Sequence, residues 1–201
     1  MKFVAMVLLM ILCTACGSAV GGVRAADSNA KRITLPQPEI TGGMPLMEAL
    51  AARAANRKFA DKALPEQTLS NLLWATWGVN RADGRRTAPT AMNKQAIQVY
   101  AALESGVWLY DAAGNELIQV LEGDTRSVFG GAPLTLLYAV PGDDRSGGLH
   151  AGALFQNAGL FCASEGLANV VKQTGINALD GKLPLPKGYT VVIIQSIGYP
   201  R

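Results

Sequence analysis

The apolar positions of the chain fall into two rhythms, and each predicts its own elements. Between Pro45 and Ala55, Leu46, Met47 and Leu50 recur at helical spacing. A first helix is expected there, with proline tolerated in its first turn and those three residues as its buried stripe. Pro65 to Val79 reads as a second helix. Its inner face carries Leu69, Leu72, Leu73 and Thr76, and Trp74 and Trp77 are assigned to the core or a subunit interface. Gly78 to Gly84 closes it in a loop, and Arg85 and Arg86 just beyond are read as solvated loop arginines, with a phosphate contact as the alternative. From Gly148 to Gly166 the sequence is apolar nearly all round, which predicts a long helix at the centre of the domain or of an interface. Gly166 suits its C-terminal cap.

The second rhythm is alternation. Ile97, Val99, Ala101 and Leu103 occupy one face of a predicted strand. Val107–Tyr110 and Glu116–Leu121 continue it as a hairpin, with Gly114 or Asn115 supplying positive φ in the turn. Pro133 to Val140 is an unbroken apolar run, as expected of a central strand buried on both faces. Asp124 to Phe129 reads as a short helix capped by Asp124, and Ala168–Lys172 and Tyr189–Ile197 as two further strands. Tyr100, Trp108 and Tyr110 are expected to pack the sheet.

Composition adds a processing step. A chain of 201 residues is one domain by default. A net charge of +3 without a dense basic cluster gives no case for nucleic acid. Met1-Lys2 followed by the apolar stretch Phe3 to Ala15 has the form of a signal peptide and is too short to span a bilayer. Cleavage after Ala25 would give an exported periplasmic or extracellular protein. Cleavage before Cys16 would give a lipoprotein held at the membrane, and an uncleaved anchor is the third option. Residues 1–25 are thus assigned to the signal and 44–201 to the folded domain. The Pro-spaced segment 26–43 is read as an extended arm, either laid over a partner subunit or solvated. With the signal removed, Cys162 is the only cysteine left of three. It is expected to be a packed core residue.

The concentrated polar chemistry lies in Arg86 to Tyr100, where Ala88-Pro89-Thr90-Ala91-Met92-Asn93-Lys94-Gln95 precedes an apolar strand. A core has no use for so many consecutive polar side chains; a flat ligand with polar edges has. This stretch resembles the A-P-S-x-x-N-x-Q segment of the FMN-dependent nitroreductases. Arg53-Ala54-Ala55-Asn56-Arg57-Lys58-Phe59 resembles that family's R-R-S-x-R-x-F segment. Gln156-Asn157-Ala158-Gly159-Leu160 and Gly166-Leu167-Ala168-Asn169-Val170 resemble the segments that follow in it, in the same order. Gly198-Tyr199-Pro200 is similar to its G-Y-P signature, and the Tyr-containing hairpin is similar to the thiazoline and oxazoline dehydrogenase branch.

The resemblance implies an α+β fold with a mixed, largely antiparallel sheet flanked by helices, assembled as a homodimer with FMN as cofactor. It implies that Arg53 and Arg57 clamp the FMN phosphate, with Ala54 and Ala55 beside them. Two guanidinium groups at i, i+4 of a helix also suit a phosphate on their own chemistry, as they suit a solvated helix end. Pro89, Thr90, Asn93, Lys94 and Gln95 would meet the flavin, and Lys172, Gln173 and Thr174 would offer backbone amides to its reactive edge. Three departures stand out. Ala55 replaces the usual serine, and only about ten residues separate the hairpin from the central strand, so the version is compact. The chain stops at Arg201, so phosphate charge is expected from Arg53, Arg57 and Lys94.

No nucleophile–base pair and no metal-ligand spacing is present, and the only histidine, His150, is expected to be structural or exposed. No catalytic side chain or metal ligand is assigned, which agrees with chemistry carried by a cofactor. The expected function is an exported FMN-dependent oxidoreductase that passes hydride to or from a small organic substrate, with an unidentified electron donor. The alternative is a non-catalytic flavin- or ligand-binding envelope protein on the same fold.

Overall fold

The computed structural model describes residues 30–201. The signal peptide assigned to residues 1–25, and with it Cys16, lies outside the described residues. Ten principal elements follow in chain order: β1 (Arg32–Thr34), α1 (Leu46–Ala52), α2 (Glu66–Trp77), β2 (Gln98–Leu103), β3 (Gly106–Asp111), β4 (Glu116–Glu122), β5 (Leu134–Pro141), α3 (Gly147–Ser164), β6 (Ala168–Lys172) and β7 (Tyr189–Gly198). The strands form one seven-stranded sheet in the order β1-β4-β3-β2-β5-β7-β6. Every described pairing is antiparallel. The class is therefore the α+β arrangement of a sheet with helices gathered on one face.

The strand patterns explain the layering. In β2, Val99 and Ala101, with Ile97 just before the strand, face the helices, whereas Tyr100 and Ala102 face the other side. β5 lies between β2 and β7 and is buried from Leu134 to Val140, as its unbroken apolar run requires. The helix-side core brings Leu69, Leu72, Leu73 and Trp77 of α2 against Leu154, Ala158 and Cys162 of α3. The opposite face is covered by the segment after β6, through Ile176, Leu179 and Leu183. Asn115 takes φ 48° in the β3–β4 turn, and Gly166 takes φ 65° after α3.

Three expectations are corrected. The α1 stripe of Leu46, Met47 and Leu50 is exposed, and only Ala49 of that helix is buried. The helix still packs on α3, with Ala49 as its buried residue. Second, α1 ends at Ala52, so Arg53 and Arg57 do not share a helical face. Arg53 turns to an extended ψ of 117°. The chain beyond it is drawn to the sheet edge, where the Asn56 N–H donates to the Asn169 carbonyl at 2.8 Å and the Ala60 N–H to the Tyr199 carbonyl at 2.9 Å. Those sheet bonds replace the helical ones that a longer α1 would make.

Third, the described part of the 26–43 arm packs on its own chain. β1 pairs with β4, Leu35 is buried, and the Pro36 carbonyl accepts from Ser70 and Asn115. Glu39 and Gln37 then bond to Asn71 and Gln67 of α2. The expected helix is a single 3-10 turn, Arg126–Phe129, with Thr125 rather than Asp124 at its N-cap; Asp124 accepts the Arg126 N–H at 2.9 Å just before it. The Asp124 carboxyl is held below the usual range by the Arg126 guanidinium.

Candidate functional site

The polar stretch before β2 folds as a tight loop. A 3-10 turn occupies Ala91–Asn93, and Met92, Asn93 and Gln95 have φ of 53°, 53° and 48°. Residues with a Cβ avoid this left-handed region, so the surroundings must hold the loop in place. Much of that work falls to Gln95. Its N–H donates to Thr90 Oγ1 at 3.1 Å, its Oε1 accepts from Arg86 Nε at 2.9 Å, and its Nε2 donates to Asn93 Oδ1 at 3.0 Å. Gln95 is thus consumed within the loop. Asn93 keeps its amide nitrogen without a partner among the described residues, and Lys94 stands in solvent. Pro89 is exposed beside the half-buried Thr90.

Arg86 corrects the expectation of a solvated arginine. Its guanidinium lies over the Trp77 ring at 4.8 Å and donates to the Trp77 carbonyl at 3.1 Å. Burial lowers its pKa. It ties the end of α2 to Gln95 and so to the loop. Arg85 is exposed as expected, 3.3 Å from Asp83.

His150 is buried, which settles the choice between structural and exposed. Its Nε2 accepts the Ala91 N–H at 2.8 Å. At the far end of the loop, Tyr189 donates its hydroxyl to the Ala96 carbonyl at 2.8 Å. Neither contact was visible in the sequence, because each joins a loop to an element more than fifty residues away, with no local periodicity to mark it.

The second assembly is cationic. Arg53 lays its side chain against α3 at Gly159, where a Cβ would sit 3.7 Å from Arg53 Cδ. Arg57 comes close enough to Lys172 for its charge to lower the lysine pKa, after the larger effect of burial. Lys172 Nζ donates to the Phe129 carbonyl and sits against Gly130. None of Arg53, Arg57 and Lys172 has a carboxylate partner among the described residues. The structure thus engages Lys172 through its side chain, at the Phe129 carbonyl, rather than only through its backbone. Lys94 sits with the loop. Ala54, Ala55, Gln173 and Thr174 are exposed.

Ala91 is fixed at His150 and Arg53 at Gly159, about 13 Å apart along α3 at 1.5 Å per residue. Between α1, α2 and α3 runs a groove of about 400 Å³ lined by Leu46, Ala49, Trp74, Thr87, Asn157 and Phe161. Asn157 donates to the Thr87 carbonyl at 3.4 Å. The Thr87 hydroxyl is buried and has no partner among the described residues.

Comparisons with known proteins agree with this architecture. Residues 50–199 match the Nitroreductase family. A crystal structure described as a nitroreductase from Ralstonia eutropha JMP134 is 35% identical, with a TM-score of 0.79 over 88% of this chain and 93% of that one. The Escherichia coli microcin synthetase McbBCD complex gives a TM-score of 0.64 at 19% identity, covering 84% of this chain and 78% of that one. A Bacteroides fragilis nitroreductase with bound FMN gives 0.56 at 15%, covering 78% and 88%. At such identities the last two show the fold alone. No curated protein matches the chain. With the family match spanning residues 50–199 and a relative that shares both the fold and a third of its residues, the chain belongs to the nitroreductase family.

Proposed function

We propose that this protein is an FMN-dependent oxidoreductase that works as a homodimer, with the flavin at the subunit interface. The observation that carries the reading is that Arg53, Arg57 and Lys172 all lack a carboxylate partner among the described residues, with Arg53 laid against α3 at Gly159. Uncompensated cations repel one another and are stabilised by a polyanionic group such as a phosphate. The unpartnered Thr87 hydroxyl and the spare Asn93 amide fit a ligand with hydrogen-bonding edges. The groove opens beside the uncovered stripe of α1, so a second copy seated on Leu46, Met47 and Leu50 would roof it and exclude water.

When bound, FMN supplies the hydride chemistry. The chain's residues bind and orient. Arg53, Arg57 and Lys172 neutralise the phosphate, Thr90 and Asn93 meet the polar edge of the ring, and the segment at Gln173–Thr174 offers backbone amides. No side chain is assigned to move a proton. The substrate is a small organic molecule. The apolar opening of the chain supports export, with Ala26 as the mature N-terminus; a mature mass that begins instead at a lipid-modified Cys16 would replace this with membrane anchoring.

The deciding experiment is the visible spectrum of the purified protein with and without added FMN. A perturbed flavin band that Arg53→Ala with Arg57→Ala weakens by about a hundredfold in affinity is expected, since two charge-assisted contacts are lost. A colourless protein that takes up no FMN would overturn the proposal. Bound FMN that no donor reduces would leave the binding role and remove the enzymatic one.

A further inference from the structure

The 90–96 loop is left-handed at three residues that carry a Cβ, and its backbone is held from outside at two points, the Ala91 N–H and the Ala96 carbonyl. We propose that His150 is the positioning residue of this loop: its neutral imidazole accepts the Ala91 N–H, and protonation at Nε2 releases the loop. A neutral imidazole has one donor nitrogen and one acceptor. The Ala91 N–H can only donate, so Nε2 must be the acceptor and the ring proton must sit on Nδ1. Nδ1 lies 3.5 Å from Asp144 Oδ2, and the two side chains are 7% and 9% exposed. A second proton would set Nε2–H against the Ala91 N–H, two donors face to face in a site with little water. The loop would then lose its anchor at the residue next to its first left-handed position.

The Asp144 carboxylate that faces Nδ1 also accepts the Ser146 N–H at 3.0 Å. Tyr189 on β7 also feels Asp144, and its phenol pKa is pushed up by burial first and by that carboxylate second, so its hydroxyl keeps the proton it donates to Ala96. The other charged groups nearby in sequence, Asp143 and Arg145 in the turn before α3 and Lys94 in the loop, are exposed to solvent. Of the two backbone anchors, His150 is the one whose accepting atom can itself take up a proton.

The link from loop to flavin rests on the function proposed above; the link from His150 to the loop does not. The test is therefore made first on the flavin-free protein by NMR, from about pH 5 to 8. The ring nitrogens of His150 report its tautomer and charge. The hydrogen-exchange protection of the Ala91 amide, taken relative to the intrinsic rate at each pH, reports the anchor. Protection is expected to fall at least tenfold on the acid side, with the midpoint of the His150 ring. His150→Gln, whose Oε1 accepts without titrating, should keep Ala91 protected across the range, and His150→Leu should lose protection throughout. Should the leucine variant not fold, the wild-type titration and the glutamine variant still decide. Protection that ignores the ring titration, or a ring proton found on Nε2 at neutral pH, would overturn the inference.

FMN affinity is then measured over the same range. The phosphate's own titration is common to both proteins, so an acid-side loss in wild type that exceeds that of His150→Gln supports the coupling. Identical pH profiles overturn it. A protein that binds no FMN at any pH but shows the Ala91 response refutes the flavin reading and leaves the role of His150 standing.

Discussion

Helices α1 and α2 begin alike and end in different surroundings. Each is preceded by proline, each carries an acidic residue in its first turn, and each shows leucines at helical spacing. The stripe of α2 goes into the core, where Leu72 and Leu73 have no exposed surface. The stripe of α1 stays outside, with Met47 74% exposed. Both helices pack on α3, α2 by its leucines and α1 by Ala49. Periodicity thus identifies the apolar face of a helix and says nothing of what covers it. In α2 the cover is the same chain; for α1 it is, on the proposal above, a second one.

That difference can be broken from the α2 side first. Leu72→Ala removes a fully buried side chain and should lower the unfolding free energy by about 2–5 kcal/mol in urea titrations. Next, Met47→Glu with Leu50→Glu places two charges on the α1 stripe. Sedimentation should show the dimer dissociation constant raised about a hundredfold, ~2.7 kcal/mol, with the far-UV spectrum retained. A protein already monomeric before substitution would remove the second chain from the account.

A third measurement sharpens what α3 buries against α2. Burial pushes the Cys162 thiol up to about 12, and raises the phenols of Tyr100, Tyr110 and Tyr138 as well. A folded pKa above the unfolded one means that the folded state keeps its proton longer. The associated stability is complete below the unfolded pKa and falls as pH climbs toward the folded value. For Cys162 the loss should begin near pH 8.5 and run at about 1.4 kcal/mol per unit, with the tyrosines joining above about pH 10. Native protein at pH 8 should accordingly resist thiol alkylation, and rapid labelling would contradict the packing of α3.

The smallest effects compare two neighbours at the end of α2. Arg86→Ala removes the stack on Trp77 and the bonds to the Trp77 carbonyl and Gln95, and should cost about 1–2 kcal/mol in thermal unfolding. Arg85→Ala removes one exposed ion pair and should stay within about 0.5 kcal/mol. Equal losses would show that the loop does not depend on Arg86.

The same contrast explains what was legible in the sequence. The face of β2, the buried run of β5, the inner stripe of α2 and the caps at Asn115 and Gly166 were all readable, because period and φ preference are local properties. The exit of the chain at Arg53 was not, since it depends on backbone bonds to Asn169 and Tyr199, far along the chain. Nor was the folding of the arm onto β4 and α2. In the candidate site the residue types of the 53–57 and 88–95 segments were recognisable, whereas their wiring was not. Gln95 spends its amide on Arg86 and Asn93, Lys172 turns its side chain to the Phe129 carbonyl, and the lone histidine holds Ala91. Such contacts have no period to betray them.

The pairing of β1 with β4 has a consequence in time. Arg32 faces Ile118 across the ladder, so an early segment of the chain has no neighbour until β4 has been made. The strands β2, β3 and β4 close on one another through short turns, as local pairings do quickly; the β1 contact must close a long loop and waits. During synthesis, the first strand of the sheet to be made is among the last to be placed, and meanwhile the outer edge of β4 stands open to any other extended chain that reaches it.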